Sequence, residues 1–527
     1  MTPPAGAAGT SRAPVAEAEQ PDPAPAEPAP SPAPAATEPV TLDFDMPAEA
    51  AARLGRLPAI AALRHGRTRG SAASTMWFDT ADGRLAAEGQ VVEAPARGPR
   101  LLLRTLPEAA ASWHPGCPPA LLRRLAPGET PEACGGDALA AIAAFAGRQQ
   151  LSQLDTAHGA VQAALLDGSL RSLETERPVA RLSLSGPLPG VVAVARAVAA
   201  ELPLLPPLAA LAEQGRALAL GLPARPHRLG AADTSAAVTA EHAFLAAAGH
   251  LAEVVRQQSA RIRPDAPPEP VHQIRVALRR LRSVFRVFRT ATDCAALRAI
   301  DARLREVLAV LGPARDWDVF LGGIVHQVEQ AFPDEKRIAG LRRAAEAQRR
   351  DAYAAVLAML GAAPWRLLLI DLMEMLLAKP WREDAEASRL AVLDAPVAGF
   401  GRSVLDRRWQ RLRRAGGDFE ALSAEALHEL RLDGKRLRYA AEVFAPVFGA
   451  KAGRRFLRRV AALQDALGPA NDAAVVRGLA ARLARPGDGG SAWAVGVVEG
   501  WSEARIAASR GDALRAWQRL HGKDRFW

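Results

Sequence analysis

Cysteines and long apolar runs are scarce in this sequence of 527 residues. Its three cysteines, Cys117, Cys134 and Cys294, are too few and too scattered for a disulfide framework or a zinc knuckle. We therefore expect free thiols in a reducing compartment. No run of about 18 apolar residues is free of charge and proline, so no transmembrane helix and no membrane partner are expected. These absences favour a cytoplasmic protein.

The N-terminal segment, residues 1–38, lacks both a basic start and a continuous apolar core. It consists almost entirely of Ala, Pro, Glu, Ser, Gly and Thr, and such a segment cannot bury enough apolar surface to fold. The composition predicts a disordered leader and is not that of a signal peptide.

Positive charge is in excess, and the excess is confined to the C-terminal part of the chain. The formal net charge is +10. Residues 1–235 carry 20 basic and 23 acidic residues, a net charge of −3, whereas residues 236–527 carry 47 and 34, a net charge of +13. We therefore expect an anionic partner to bind the C-terminal part.

The region before residue 223 has the pattern of an α+β domain with antiparallel strands. Residues 41–46 alternate as a strand and are followed by a short helical pattern. Residues 75–89 favour a strand, a turn and a returning strand. Further strands are predicted at 100–106 and 179–186, and a helix at 191–202.

The order of these elements over about residues 40–222, and the stretch 74–85 in particular, resembles the CYTH family. The resemblance implies an antiparallel barrel whose tunnel surrounds a triphosphate and a metal ion. The charged positions of that family fall here on Pro39, Thr41, Asp43, Pro107, Arg181, Ser183 and Leu211. Cations to hold phosphates and carboxylates to hold an activating metal are therefore missing. The resemblance implies a catalytically inactive scaffold without a cofactor.

Two aspartates of the first predicted strand, Asp43 and Asp45, leave an alternative open. They are a candidate metal pair, although a solvated or capping role is the commoner use of such residues. The alternative function is accordingly a metal-dependent hydrolysis of triphosphate or polyphosphate in this domain.

Beyond a linker at residues 223–235, every predicted element is a helix. The most informative one is VHQIRVALRRLRSVFRVF, residues 271–288. At about 100° per residue, one face of this helix carries a cationic row and the opposite face an apolar stripe. The row consists of His272, Arg275, Arg279 and Arg282.

The same pattern returns 156 residues later in LHELRLDGKRLRYAAEVF, residues 427–444. Its row consists of His428, Arg431, Lys435 and Arg438. LGPARDWD at 311–318 is likewise followed, at the same offset, by LGPANDAA at 467–474. Equal offsets predict a duplicated unit. We expect an all-α domain of two antiparallel bundles related by a pseudo-twofold axis, with units at about 236–385 and 390–520.

The motifs HQIRVALRRLR, HELRLDGKRLR and the two LGPA(R/N)D segments resemble the CHAD family over about residues 236–520. The resemblance implies a helical domain that binds inorganic polyphosphate without catalysis, with the cytoplasm and its polyphosphate granules as the expected location. The chemistry of the rows agrees, because a guanidinium donates two parallel hydrogen bonds to phosphate and keeps its charge.

The two cationic rows are the main predicted contacts with polyphosphate. Each histidine either contacts phosphate as a protonated donor or bonds a neighbouring helix and only positions the arginines. Additional predicted contacts are Arg280, Arg436, Tyr439, Arg298, Arg303, Lys451, Arg454, Arg455, Arg458 and Arg459.

Asp316 and Asp472 follow the two Gly-Pro dipeptides at equivalent positions. The pattern predicts that a helix stops at Gly312 and Pro313 and that each aspartate caps the next helix. Ion pairing with the arginine rows is the alternative.

Nucleic-acid binding is a third functional class, raised by a sequence pI near 10.3. Single-strand binders interleave aromatic and basic side chains. Here Phe285 and Phe288 belong to the apolar stripe, and only Tyr439 shares the cationic face. Nucleic acid is therefore the less favoured ligand. No oligomeric state is predicted.

Overall fold

The structure, a computed structural model, describes residues 39–105, 120–225, 229–265, 267–383 and 385–527. The predicted leader at 1–38, Pro107, Cys117 and residues 226–228 of the predicted linker lie outside these ranges. Cys134 is buried and Cys294 is half-buried, and both are free thiols.

An antiparallel sheet forms the first part of the described chain. It pairs in the order β1-β8-β7-β6-β2-β3-β4-β5 and curves as a half-barrel. This arrangement confirms the predicted antiparallel, barrel-like α+β fold. The strands are β1 Val40–Met46, β2 Arg64–Asp79, β3 Gln90–Pro95, β4 Leu101–Arg104, β5 Ala120–Arg124, β6 Ala140–Thr156, β7 Gly159–Arg171 and β8 Glu176–Gly186.

Strands β5, β6 and β7 were not predicted from the sequence. The sequence of β6, AAIAAFAGRQQLSQLDT, is rich in alanine and has little strand-type alternation. Gly147 of β6 lies opposite Gly168 of β7, and a Cβ at Gly147 would clash with the backbone of Asp167. Close pairing of two long strands therefore overrides the local propensity of this segment.

Short helices cover the sheet and supply its core. The helix α4 lays Val191, Val194 and Val198 on a core that also contains Phe44 and Leu182. The helices of this part are α1 Ala48–Leu54, α2 Pro58–Leu63, α3 Arg84–Ala87, α4 Leu188–Glu201 and α5 Leu211–Leu220.

The second part of the described chain is helical, as predicted. A π-helical segment, Phe320–Val325, joins two of its helices. They are α6 Ala240–Ser259, α7 Glu269–Val287, α8 Arg289–Thr292, α9 Ala295–Val319, α10 His326–Ala331, α11 Lys336–Gly361, α12 Ala363–Ala378, α13 Ala387–Asp394, α14 Val397–Ala415, α15 Ala424–Phe448, α16 Ala450–Ala466, α17 Gly468–Ala481 and α18 Gly489–His521.

Equivalent elements of the two units meet around a pseudo-twofold axis. Thr239, just before α6, forms a β-bridge with Pro396, just before α14. Phe288 contacts Phe444, its counterpart 156 residues later, with ring centroids 5.8 Å apart. Phe244 and its counterpart Phe400 pack against Phe288 at 5.5 Å and 5.1 Å. One aromatic cluster therefore joins the two units and fixes α7 beside α15.

The predicted helix stop at Gly312 and Pro313 is wrong, because α9 continues through both residues to Val319. Proline inside a helix costs about 3 kcal/mol. Leu311, Ala314 and Trp317 are nevertheless all buried on this segment, and their burial outweighs that cost. In the second unit the break does occur, since α16 ends at Ala466 and α17 begins at Gly468 with proline in its first turn.

The sheet part and the helical part share a packed boundary formed by α4 and α12. Ile370 and Met373 of α12 belong to the core of the sheet part. Arg196 of α4 donates to one oxygen of Asp371 at 2.7 and 3.0 Å. Among the described residues no single helix has the length and apolar character of a membrane span; α11 and α12 meet those criteria only as a pair bent by 57°.

A candidate anion-binding groove between the helical units

The helices α7 and α15 each bury one side and turn a cationic row toward the other. Pro270 lies in the first turn of α7, where its missing N–H costs nothing. The Ser423 hydroxyl accepts a hydrogen bond from the N–H of Ala426 and caps α15. Ile274 and Leu278 are fully buried, which sets the rotation of α7 about its axis. The two rows are therefore positioned by packing on the opposite faces of their helices.

The glycine of each LGPA segment lies beside an arginine of the row. The guanidinium of Arg275 donates to the carbonyl oxygen of Leu308 at 3.3 Å, and a Cβ at Gly312 would lie 3.3 Å from the same Nη1. In the second unit, a Cβ at Gly468 would lie 3.9 Å from an Nη of Arg431, which is an ordinary contact. The LGPA segment and the row are therefore neighbours in both units, and the approach is tight in the first.

Arg279 and Lys435 occupy equivalent positions and lie within electrostatic reach of each other. Burial lowers the pKa of Lys435 to about 8, and the charges of Arg431 and Arg279 contribute to this shift. Asp472 opposes the shift without cancelling it. The centre of the groove therefore holds more positive charge than its own carboxylates neutralise.

His272 is half-buried at the start of the first row, whereas His428 is exposed. Burial lowers the pKa of His272, and the charge of Arg315 lowers it further; Glu269 acts in the opposite direction. In the part of the chain that the structure describes, neither histidine forms a hydrogen bond to a neighbouring helix. The surroundings of His272 therefore disfavour its protonated form in the free protein.

Three of the predicted arginines on α7 and α15 are held by Glu442 or Asp301. Arg280 donates to both oxygens of Glu442 at 2.8 and 3.0 Å, which ties α7 to α15. Arg438 donates to Glu442 at 3.1 Å, and Arg282 donates to Asp301 at 2.7 and 3.3 Å. These hydrogen bonds fix the orientation of the three guanidinium groups.

Several other predicted contacts lie away from the two rows. Arg303 bonds Asp371 and the carbonyl oxygen of Pro364, toward the sheet part. Its counterpart Arg459 donates to the carbonyl oxygen of Asp524. The partners of both arginines therefore lie outside α7 and α15, the helices that carry the rows. Arg298 pairs with Asp293 on the surface, and the exposed face of α16 carries Lys451, Arg454, Arg455 and Arg458.

The predicted capping role of Asp316 and Asp472 is wrong. Asp316 lies inside α9, and the residue that precedes α17 is Leu467, without a side-chain cap. Burial raises the pKa of Asp316, while the charges of Arg275 and Arg315 oppose that rise. Each aspartate opposes the lowering of a pKa by burial, Asp316 that of Arg275 and Asp472 that of Lys435, but within the described ranges neither forms a close ion pair with a cation of the rows. The ion-pairing alternative stays a prediction.

Sequence reasoning missed a further group of arginines near the ends of α7 and α15. Arg286 continues the first row by one turn, and α14 adds Arg407, Arg408 and Arg411 to the same cleft. The α14 arginines have no basic counterparts 156 residues earlier, so they are not part of the duplicated pattern. The cluster RRWQRLRR on α14 was the available signal.

In the sheet part, the positions where the CYTH resemblance places catalytic charges hold an internal ion pair. Arg181, whose side chain is 3% exposed, donates to both oxygens of Asp45 at 2.8 and 3.1 Å. Ser183 donates to Asp43, and burial raises the pKa of Asp43. These carboxylates are thus occupied by the protein's own donors. Among the described residues, no group of three or more His, Cys, Asp or Glu side chains could hold a metal ion.

The helices α7 and α15 pack side by side, and each carries a cationic row at equivalent positions. Residues 245–481 match the family model of the CHAD domain, and this segment of the chain is a CHAD domain. CHAD is a polyphosphate-binding type of domain.

Two solved structures are similar to the chain. The crystal structure of the CHAD domain from the plant Ricinus communis is 27% identical, with a TM-score of 0.46, and the match covers 57% of this chain and 96% of that one. PptA from Streptomyces chartreusis is 18% identical, with a TM-score of 0.37, and the match covers 51% and 98%. No curated protein matches the sequence.

Proposed function

We propose that this chain binds inorganic polyphosphate, without catalysis, along the groove between α7 and α15. The observation that carries the proposal is the electrostatic interaction between two equivalent cationic rows: burial, Arg431 of the same row and Arg279 of the other row lower the pKa of Lys435 to about 8. A bound polyanion would neutralise this excess charge. The proposal includes a cytoplasmic location, on polyphosphate granules where these exist.

The shape of the rows favours a linear ligand over a compact one. From His272 to Arg282 the first row extends along about 15 Å of helix, at about 1.5 Å per residue. Polyphosphate repeats a negative charge and acceptor oxygens along its length, so successive phosphates can meet successive cations. Each exposed contact contributes about 1 kcal/mol, and the contacts accumulate because they belong to one polymer.

Non-catalytic binding is supported by the internal pairing of Asp43, Asp45 and Arg181 in the sheet part. The metal-dependent hydrolase remains the alternative. Release of orthophosphate from polyphosphate of several lengths, with magnesium or manganese present, would establish that alternative and overturn the non-catalytic part of the proposal.

A length-resolved binding assay on the full chain tests the groove. The variant replaces Arg275, Arg279, Arg431 and Lys435 by alanine and is expected to lose about 100-fold or more in affinity for long chains at low salt. A control removes the same charge from exposed positions on α11 and α18, with Arg343, Arg350, Arg505 and Arg519 replaced by alanine. Equal affinity of the groove variant and wild type would overturn the assignment.

The same assay separates polyphosphate from nucleic acid. Affinity for polyphosphate is expected to grow with chain length and to fall steeply with salt. Single-stranded RNA of matched charge is expected to compete poorly, because Tyr439 is the one aromatic side chain that the rows offer for stacking within the described groove. Equal competition by RNA would favour the nucleic-acid alternative.

A further inference from the structure

The ion pair that joins α7 to α15 occurs on one side of the pseudo-twofold axis and is replaced on the other. Arg280 of α7 donates to both oxygens of Glu442 of α15. The counterparts of these residues at the 156-residue offset are Arg436 and Arg286. An arginine therefore stands where symmetry would place the carboxylate, and two cations face each other instead of an ion pair.

A cleft of about 300 Å³ lies at this second location, between α7, α14 and α15. Among the described residues that line it, Asp433 is the one carboxylate, and it accepts hydrogen bonds from Arg411, at 2.9 Å, and from Arg436. The cleft thus carries five arginines against one aspartate. These arginines, which we call the arginine pocket, are Arg286, Arg407, Arg408, Arg411 and Arg436.

The electrostatics of the arginine pocket show that its charges are not internally balanced. Burial lowers the pKa of Arg408 to about 10, and the charges of Arg436, Arg286 and Arg407 contribute. Burial and Arg282 also lower the pKa of Arg286, although Asp301 acts in the opposite direction. One Nη of Arg408 donates to the carbonyl oxygen of Arg436 at 2.8 Å, which holds this cation in the cleft. A bound anion would relieve the repulsion.

The arginine pocket occurs once per chain, unlike the duplicated rows of the groove. The α14 arginines at 407, 408 and 411 correspond to Leu251, Ala252 and Val255 of α6. The pocket is nevertheless continuous with the groove, because Arg286 lies one turn beyond Arg282 on α7. A symmetric groove ends, at one side only, in a compact cluster of guanidinium groups.

We propose that the arginine pocket binds the terminal phosphate of a polyphosphate chain whose internal phosphates occupy the groove. Near neutral pH a terminal phosphate has a charge close to −2 and offers three acceptor oxygens, whereas an internal phosphate carries one negative charge. Converging guanidinium groups suit a terminal phosphate, and a linear row of cations suits a series of internal phosphates. The proposal rests on the proposed function and deepens it, because it gives the bound chain a fixed end and a direction.

Calorimetric titration of the full chain with linear tripolyphosphate and with cyclic trimetaphosphate tests the proposal, since the cyclic compound has no terminal group. Wild type is expected to bind the linear compound more tightly than the cyclic one, by about tenfold at least. Equal affinity for the two compounds would overturn the terminal-phosphate assignment while the groove proposal stood. Orthophosphate is a third probe, and binding of orthophosphate as tight as that of tripolyphosphate would also overturn it, in favour of a site for free phosphate.

Arg286→Glu is the sharpest variant, because it introduces the carboxylate that pseudo-symmetry places opposite Arg436. The new ion pair would imitate the one between Arg280 and Glu442, so the fold is expected to persist in thermal unfolding. The preference for linear over cyclic phosphate is expected to disappear, whereas affinity for long chains falls less than about tenfold. Arg407→Gln, at an exposed position of the pocket, tests the same preference if Arg286→Glu does not fold.

The groove variant separates this proposal from the proposed function. With Arg275, Arg279, Arg431 and Lys435 replaced by alanine, long-chain affinity is expected to fall, but the linear-over-cyclic preference is expected to persist. A preference that survives both Arg286→Glu and Arg407→Gln would overturn the arginine pocket as its source.

Discussion

The sheet part and the cationic rows of the helical part treat buried and half-buried charge in opposite ways. In the sheet part, Arg181 pairs with Asp45, and Arg225 donates to both oxygens of Glu213 at 3.0 and 2.9 Å. In the rows, burial and the charges of Arg431 and Arg279 lower the pKa of Lys435, and Asp472 opposes this shift without cancelling it. The sheet part thus balances its charges internally, whereas the rows keep an excess of positive charge.

The largest expected effect comes from breaking a pair in the sheet part. Arg181→Met removes the cation that pairs with Asp45 and lies 3.8 Å from the buried Asp43, so the free energy of unfolding should fall by about 3–5 kcal/mol. Chemical denaturation measures this change. Arg177→Met, at an exposed position of the same strand, is the control and should change stability by less than about 0.5 kcal/mol. Polyphosphate affinity should be unaltered, and a marked loss of binding in Arg181→Met would contradict the division of roles.

In the groove, removal of charge is expected to have the reverse effect on stability from that in the sheet part. Replacing Arg279 and Lys435 together by glutamine removes mutual repulsion, so stability should stay constant or rise by up to about 1 kcal/mol. Affinity for long polyphosphate should fall about 30-fold at low salt, because two contacts are lost. Denaturation and binding measured on the same preparation test both halves. A clear loss of stability would show that these cations are structural after all.

A smaller effect follows from the depressed pKa of Lys435. In the free protein this pKa is about 8, and a bound polyanion should return it toward its ordinary value of 10.5. At pH 8.5 binding should therefore take up most of one proton, and affinity should fall as pH rises from 8 toward 10. Calorimetry in buffers of different ionisation enthalpy measures the uptake. Lys435→Arg should abolish it while keeping the affinity, and persistent uptake in that variant would place the proton elsewhere.

The smallest expected effect concerns His272. Its pKa in the free protein lies below the ordinary value of 6.5, and a polyanion should raise it. Affinity should then increase by about threefold between pH 7.5 and 6, because binding takes up a proton as pH falls toward the free-state pKa. Long chains are the appropriate ligand, since their own terminal groups contribute little titration. His272→Asn should remove the increase, and an unchanged pH profile would exclude phosphate contact by this histidine.

Two kinds of arginine occur within the rows. Arg282 and Arg438 are oriented by Asp301 and Glu442, whereas Asp472 does not cancel the effect of the charges around Lys435. The sequence spacing predicts the helix face of each residue but not which of the two kinds it belongs to. Asp301 comes from another helix, so its pairing with Arg282 depends on how the helices cross.

The sequence by itself determined the helical rows, their apolar reverse faces and the duplication at a 156-residue offset. These are local or periodic properties: a helix of about 3.6 residues per turn places every third or fourth residue on one face in any context. Helix boundaries that depend on tertiary burial were harder to predict from the sequence. Pro313 remained within α9 because Leu311, Ala314 and Trp317 gain more from burial than the proline costs.

Tertiary structure alone decided which charges meet. Strands β6 and β7 form a hairpin in which Gly147 and Gly168 lie opposite each other, and β6 also pairs with β2, which is distant in the sequence. The helix crossing brings Arg280 to Glu442 and, on the other side of the axis, Arg436 to Arg286. A repeat in the sequence predicts symmetry. The consequence of the residue that breaks it, Arg286 in place of a carboxylate, is visible only when α7 and α15 are packed side by side.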